Sequence, residues 1–271
     1  MDRKAHAISF ARQAYLRQGL DTLYGRSFDD LLLPELDGAW AVAGAEQLIW
    51  CEDPKTNLLA ALLRGAQLHD VYSQRQIDLQ IFWDTLDDIG RWAGTYFDDT
   101  GKVGLETVHW LSNHLNFRLF RLGRLQFCME PSDFSAPEWG IQAGDPLVSV
   151  HIFSGEPLDA SQCDRSFDLA RTFFQTYFPD YPFRFYSCHS WLLDREILPL
   201  VGATSNIALF QKRFTIVGQT PSDAVQRYVF RWSIQPDEIA GFSPKNSFQQ
   251  RLKAQILAGK QFYEATGIIA R

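Results

Sequence analysis

LGRLQFCME, residues 122–130, is where the pattern of the chain changes. Leu125, Phe127 and Met129 alternate with Arg124, Gln126, Cys128 and Glu130, the signature of a strand with one face buried. Gly123 inside the segment predicts a bulge or a close backbone approach. Before about residue 115 the apolar period is 3.6, not 2. An amphipathic opening segment carries Phe10, Ala14 and Leu20, and Leu58, Leu59, Leu62, Leu63 and Ala66 form a helical stripe. Ile77, Ile81, Leu86, Ile89 and Trp92 form another, and a short helix spans roughly 105–115. Between these, GRSFDDLLLPELDG (25–38) reads as a loop and FDDTGK (97–102) as a turn.

Toward the C-terminus, a Pro-, Ser- and Gly-rich loop (131–146) leads to a second strand, LVSVHIF (147–153). A helix follows from about Cys163 to Tyr177, with Phe167, Ala170, Phe174 and Tyr177 as its buried stripe. Pro179 and Pro182 stop it, and 183–193 reads as a third strand. A helix over 195–213, broken at Gly202, precedes a hairpin of 213–219 with 224–232, and a last helix covers 246–265. The expectation is therefore an α/β (α+β) chain of two domains, a helical one over 1–115 and a mixed sheet flanked by helices over 116–271.

The chain has 271 residues, 46% of them hydrophobic and 21% charged, which excludes a disordered chain. It has no apolar run of about 18 residues, so no membrane span is expected. The opening MDRKAHAISFARQAYLRQG mixes charge with apolar residues and is unlike a secretory leader. None of the four cysteines lies in a C-x-x-C pair, which argues against a zinc knuckle or a disulfide framework and for a cytoplasmic protein. The net charge of −6 argues against nucleic acid as a partner. Residues 1–115 hold 17 acids against 10 bases, and residues 116–271 hold 15 against 16, so an anionic ligand meets less repulsion in the second part.

LGRLQF (122–127), VSVHIFSGEPL (149–158), SFDLARTFFQTYFPD (166–180), CHSWLLD (188–194) and SNIALFQKRF (205–214) resemble a bacterial family assigned as acyltransferases. Its members join a helical N-acyltransferase-type N-terminal domain to a GNAT-like C-terminal domain. The resemblance covers nearly the whole chain, most strongly 115–235. It implies a GNAT-like fold and transfer of an acyl group, acetyl first, from acetyl-CoA or another acyl-CoA to an amine of a small molecule or peptide. The family pattern His-Ile-Pro is replaced here by His151-Ile152-Phe153, which loosens the loop entry without abolishing a site.

In a GNAT-like domain the strand-to-helix connection holds the CoA diphosphate, so Ile152, Phe153, Ser154 and Gly155, with Arg165, become the expected cofactor-binding residues. The glycine-rich phosphate pattern of such domains is missing, and Glu156, Asp159 and Asp164 surround Gly155. Two readings of the loop stand side by side: a divergent CoA loop, or an ordinary connection whose helix is capped by Ser161-x-x-Asp164. The thioester of a GNAT-like enzyme inserts between two parallel strands that part. His151, on the first, is of the residue type suited to deprotonating an ammonium near neutral pH, and Cys188, on the second, is a candidate to serve the leaving thiolate. Both also fit a packed sheet, as a hydrogen-bonded imidazole and a small buried thiol. Cys188 and the adjacent His189 point to opposite faces and form no dyad.

Ser190 and Trp191 are candidate substrate contacts, as are Ser205 and Asn206, whose types also suit a helix start. Asp84, Asp87 and Asp88 share one helix face, which a solvated surface explains, and no metal is expected. A non-catalytic acyl-CoA or small-molecule binding module on the same fold is the alternative function, motivated by the missing glycines. The oligomeric state is not encoded in any of these patterns.

Overall fold

The computed structural model describes residues 2–45, 48 and 50–271. They form two compact units, Met1–Leu122 and Gly123–Arg271.

The first unit is helical: α1 (Arg3–Arg17), α2 (Leu20–Tyr24), α3 (Phe28–Leu31), α4 (Leu36–Gly44), α5 (Pro54–Gln74), α6 (Leu79–Thr100) and α7 (Val108–Leu115). It ends in a short strand, β1 (Leu119–Leu122). The long helices begin on aspartate caps. Asp53 accepts from the Thr56 amide with Pro54 in the first helical position, and Asp78 accepts from the Gln80 amide. Their buried stripes match the 3.6 spacing, with Leu58, Leu59, Leu62 and Leu63 of α5 and Phe82, Leu86 and Ile89 of α6 all buried.

Two local expectations fail in this unit. The stretch read as a loop carries α3, a 3-10 turn at Leu33–Glu35 and the start of α4, because Ser27 caps α3 through the Asp30 amide and Phe28, Leu31 and Leu32 are buried. The expected turn at 97–102 shrinks to its end: α6 runs to Thr100 and stops at Gly101, whose amide donates to the Phe97 carbonyl.

The second unit contains β2 (Leu125–Pro131), β3 (Pro146–Ile152), α8 (Ala160–Tyr177), β4 (Phe185–Ser190), α9 (Leu198–Val201), α10 (Asn206–Gln211), β5 (Thr215–Pro221), α11 (Ala224–Val229), α12 (Ser247–Leu257) and β6 (Tyr263–Ala270). Through this unit the sheet runs β2-β3-β4-β6-β5. β3 and β4 are parallel, and β2·β3, β4·β6 and β5·β6 are antiparallel. The mixed α/β class and the GNAT-like arrangement follow the expectation.

Gly123 does not bulge a strand but turns the chain into β2. Its φ is +74°, and a Cβ there would lie 3.0 Å from the Ser166 hydroxyl of α8. That hydroxyl accepts the Arg124 and Leu125 amides at 2.8 and 3.2 Å, which fixes where β2 begins.

The end of the chain departs from expectation. Residues 224–232 are not the second arm of a hairpin. They hold α11, whose Val225 and Val229 pack in one cluster with Ile197, Leu200, Leu252 and Phe262. The last helix ends at Leu257, and 263–270 becomes β6, which inserts between β4 and β5.

Candidate functional site

The β3–β4 ladder registers only Val148↔Tyr186 and Ser149↔Ser187. Beyond that point each strand stays paired to its outer neighbour. Gln126↔His151 and Leu125↔Ile152 continue β2·β3, while Cys188↔Gly267, His189↔Thr266 and Ser190↔Ala265 continue β4·β6. Two strands held outward and unregistered toward each other leave a slot between His151-Ile152 and Cys188–Ser190.

Pleating assigns the faces of this slot. Phe127 pairs with Val150, and Phe127 and Tyr186 both pack on Phe167 of α8. Tyr186 and, two residues on, Cys188 therefore look toward α8. His151, adjacent to Val150, looks to the other face with Ser149, Ser187 and His189. The structure thus does not bring His151 and Cys188 together, and the pair expected across the strands is corrected by the pleat.

His151 is half-buried, and its Nε2 lies 2.8 Å from the Ser149 hydroxyl. That hydroxyl is also 3.5 Å from the Cys128 carbonyl, a long contact that orients it weakly. On β4, His189 is exposed and its Nδ1 lies 2.9 Å from the Thr266 hydroxyl. Cys188 is only 1% exposed, and burial pushes its thiol up to about 12. It stays neutral at ordinary pH and is a poor acid for a leaving thiolate.

The connection 153–158 is pinned at both ends by buried Phe153 and Leu158, and Gly155 takes φ +88° at its tip. Ser154 and Gly155 are exposed. The Arg124 guanidinium, 4% exposed as a residue, donates to the Pro157 and Glu156 carbonyls at 2.8 and 2.7 Å. This holds the loop by its acceptors. α8 begins at Ala160, and its cap is Asp159 rather than the expected Ser161. Asp159 accepts from the Gln162 amide at 3.0 Å and from the Ser161 hydroxyl at 2.6 Å, and these bonds hold its carboxyl below the usual range. Arg165 is exposed on α8, while Arg213 pairs with Asp164 at 2.7 Å and donates to the Ala160 carbonyl. The helix start is thus satisfied internally, and the cations beside it are an exposed Arg165, Arg213 paired with Asp164, and Arg124 bound to the loop carbonyls.

Ser190 ends β4, and its hydroxyl accepts the Leu192 amide at 3.1 Å. Trp191 therefore opens a 3-10 turn instead of continuing the strand face with His189, and it packs beside Ile197 and Phe262 with Phe248 stacked at 6.5 Å. Ser205 is the cap of α10, accepting the Ala208 amide at 3.2 Å, and Asn206 is the exposed first residue of that helix. Ser149, Arg124 and Thr266 are residues of the site that the sequence reading misses, and His189 is named there only to exclude a dyad with Cys188. The i, i+2 spacing of Ser149 and His151 on one strand was the available signal for the first of them.

The acidic face of α6 is also not the solvated surface expected. Asp88 is 3% exposed and lies 2.7 Å from His114 Nε2, with the Trp110 indole N–H at 3.2 Å. Among the described residues no group of three or more His, Cys, Asp or Glu could hold a metal ion. No helix among them is long and apolar enough to cross a membrane.

Residues 119–269 match the family of GNAT-like C-terminal domains, and residues 7–117 match the N-acyltransferase N-terminal domain. The chain belongs to this two-domain acyltransferase family. Solved structures similar to this GNAT-like chain include an acyltransferase in complex with decanoyl-CoA and teicoplanin. It has 25% identity and a TM-score of 0.70 over 79% of this chain and 66% of its own. A second is an acyltransferase in complex with decanoyl-CoA, at 23% identity and a TM-score of 0.72 over 89% of this chain and 78% of its own. A third, an acyltransferase variant with octanoyl-CoA, shares 24% identity with a TM-score of 0.70, over 79% of this chain and 66% of its own. The GNAT-like chain thus spans just under two thirds of the length of the first of these neighbours. No curated protein matches it significantly.

Proposed function

We propose that the protein is an acyl-CoA-dependent N-acyltransferase that moves an acyl group to an amine of a small molecule or peptide. The observation that carries this reading is the slot between β3 and β4, where registered pairing stops after Ser149↔Ser187. An extended pantetheine arm laid there places its thioester between His151 on one strand and the Cys188–Ser190 segment on the other. Backbone groups of the parted edges are available to it. We assign the connection Ile152–Gly155 and Arg165 to the nucleotide end of the donor.

The reaction needs a neutral amine, a polarised thioester carbonyl and a route for the thiolate to leave. We assign His151 the role of taking the ammonium proton, with the Ser149 hydroxyl at 2.8 Å beside its Nε2. The amine then adds to the carbonyl carbon, the carbon–sulfur bond breaks as the amide forms, and the second proton lost by the nitrogen ends on the departing thiolate to give the free thiol. A thiolate with an ordinary pKa near 8.5 leaves without strong acid assistance, so a neutral Cys188 lines the slot and need not donate. Ser190, Trp191, Ser205 and Asn206 are assigned to the approaches of donor and acceptor. Solved neighbours hold decanoyl-CoA or octanoyl-CoA, and one also holds teicoplanin. These complexes favour a medium-chain acyl group over acetyl and an amine acceptor on a peptide scaffold.

A binding module without turnover is the second reading, favoured by the internal capping of α8 by Asp159 and the nearby carboxylates. Thermal unfolding with acetyl-CoA and decanoyl-CoA, followed by thiol release with an amine panel, separates the two. A ligand at 100-fold its dissociation constant adds about 2.7 kcal/mol of stability. A shift with amine-dependent thiol release is expected. A shift without release in any amine supports the binding module, and no shift with either donor sinks both readings.

A further inference from the structure

A cavity of about 510 Å³ lies in the second unit on another side of α10. Its size falls within the range of about 300–1,000 Å³ common for small-ligand sites. The apolar wall comes from Leu198 and Pro199 of α9, Ala208 of α10, and Phe214 and Ile216 at the entry to β5. Arg195 and Lys212 also line it, and no acidic residue does. The chain spends effort on holding this wall in place. The Gln211 amide nitrogen donates to the Leu192 and Asp194 carbonyls at 2.7 and 2.9 Å, which ties α10 to the turn that carries Arg195. Phe214 packs on Phe210 at 5.1 Å and lies against Gly267 of β6.

The two cations are the informative part. Nearby charges are already paired: Glu196 with Lys260 at 2.8 Å, and Arg213 with Asp164 at 2.7 Å. The Asp194 carboxylate accepts the Glu196 and Tyr263 amides. No ion pair to Arg195 or Lys212 is formed among the described residues. An apolar wall lined with two cations and no carboxylate complements a ligand with a single anionic head and an apolar body.

Ala208 and Gln211 of α10, with Lys212 just after it, line the cavity, whereas the next residue, Arg213, reaches Asp164 and Ala160 at the start of α8. No residue lining the cavity belongs to the slot or to the α8 connection assigned to the acyl donor, although its Phe214 packs near Phe167 of α8 at 6.5 Å and against Gly267, the partner of Cys188. We propose that the cavity is a binding site for an amphiphilic carboxylate, an alkyl chain of medium length whose carboxylate meets Arg195 and Lys212 while the chain lies on Leu198, Ala208 and Phe214.

Titrating the full chain with decanoate by calorimetry tests this without any acyl-CoA, so its outcome is independent of the acyltransferase reading. Saturable binding is expected, with decanol binding roughly tenfold more weakly because it cannot form the charge-assisted contacts. Arg195→Gln with Lys212→Gln should weaken decanoate roughly tenfold or more, and Ala203→Trp, at an exposed position on the cavity wall, should abolish it. Circular dichroism of each variant confirms that the fold is retained. Coenzyme A at saturation should leave decanoate affinity unchanged. Absence of binding, equal affinity for decanol, insensitivity to both variants, or displacement by coenzyme A would each overturn the proposal.

Discussion

His151 and Cys188 show how one-residue changes of position decide chemistry. The imidazole sits half-buried beside the Ser149 hydroxyl, whereas the thiol is closed off on the opposite sheet face. His151→Ala should lower turnover by about 10²–10⁴, the usual worth of a general base, and leave the melting temperature nearly unchanged. Equal losses of turnover and stability would return His151 to a packing role. His114 is the contrasting case. It is 1% exposed, and it supplies Asp88 with its nearest partner, a pairing in which removal of one member leaves a buried charge. His114→Ala should cost about 3–5 kcal/mol in denaturant unfolding, with Asp88→Asn/His114→Ala less damaging than the sum of the single changes. A loss below about 1 kcal/mol would show that water or Trp110 replaces the ring.

At the scale of elements, α6 carries three carboxylates with three environments. Asp84 accepts from Gln80 at 2.6 Å, Asp88 is buried, and Asp87 is half-exposed with burial raising its pKa to about 6 against the attraction of Arg121 at 3.9 Å. A carboxyl with a folded pKa above its unfolded one binds more protons when folded, so stability falls as pH rises from about 4 to 6. Asp87→Asn should flatten that slope and raise the melting temperature at pH 7.5. A slope unchanged in the variant would assign it to other groups. The same helix shows what the sequence could and could not disclose. Its apolar stripe was readable because each turn repeats locally, but Asp88 belongs to the buried side through a partner 26 residues away. The strand β6 was hidden for a similar reason. Tyr263–Ala270 follows a helix after only a few residues, and what makes it a strand is pairing with β4 and β5, both distant in sequence. Residues 224–232 misled in the opposite sense: their Val, Tyr and Phe content suits a strand, yet Val225 and Val229 sit one helical turn apart on the Ile197–Phe262 cluster. The slot was legible only through the resemblance, since no local pattern marks where two neighbouring strands stop pairing.

Over the whole molecule, the net charge of −6 divides unevenly between the two compact units. Residues 1–122 hold 17 acids and 12 bases, and residues 123–271 hold 15 and 14. On the proposed function, the long-range field repels an anionic acyl-CoA and attracts a cationic amine, while the proposed contact with Arg165 acts only at short range. Raising ionic strength from about 0.01 to 0.15 M shortens the screening length from about 30 to about 8 Å, which removes the long-range part and keeps the contacts. Stopped-flow association should then run faster with salt for decanoyl-CoA and slower for a diamine acceptor, because screening weakens repulsion in one case and steering in the other. The opposite sign for decanoyl-CoA would mean that the basic side chains beside α8 dominate its approach. In that case Arg165→Gln should restore the rise with salt, since it removes an exposed cation from the first turns of that helix without touching the Asp164–Arg213 pair.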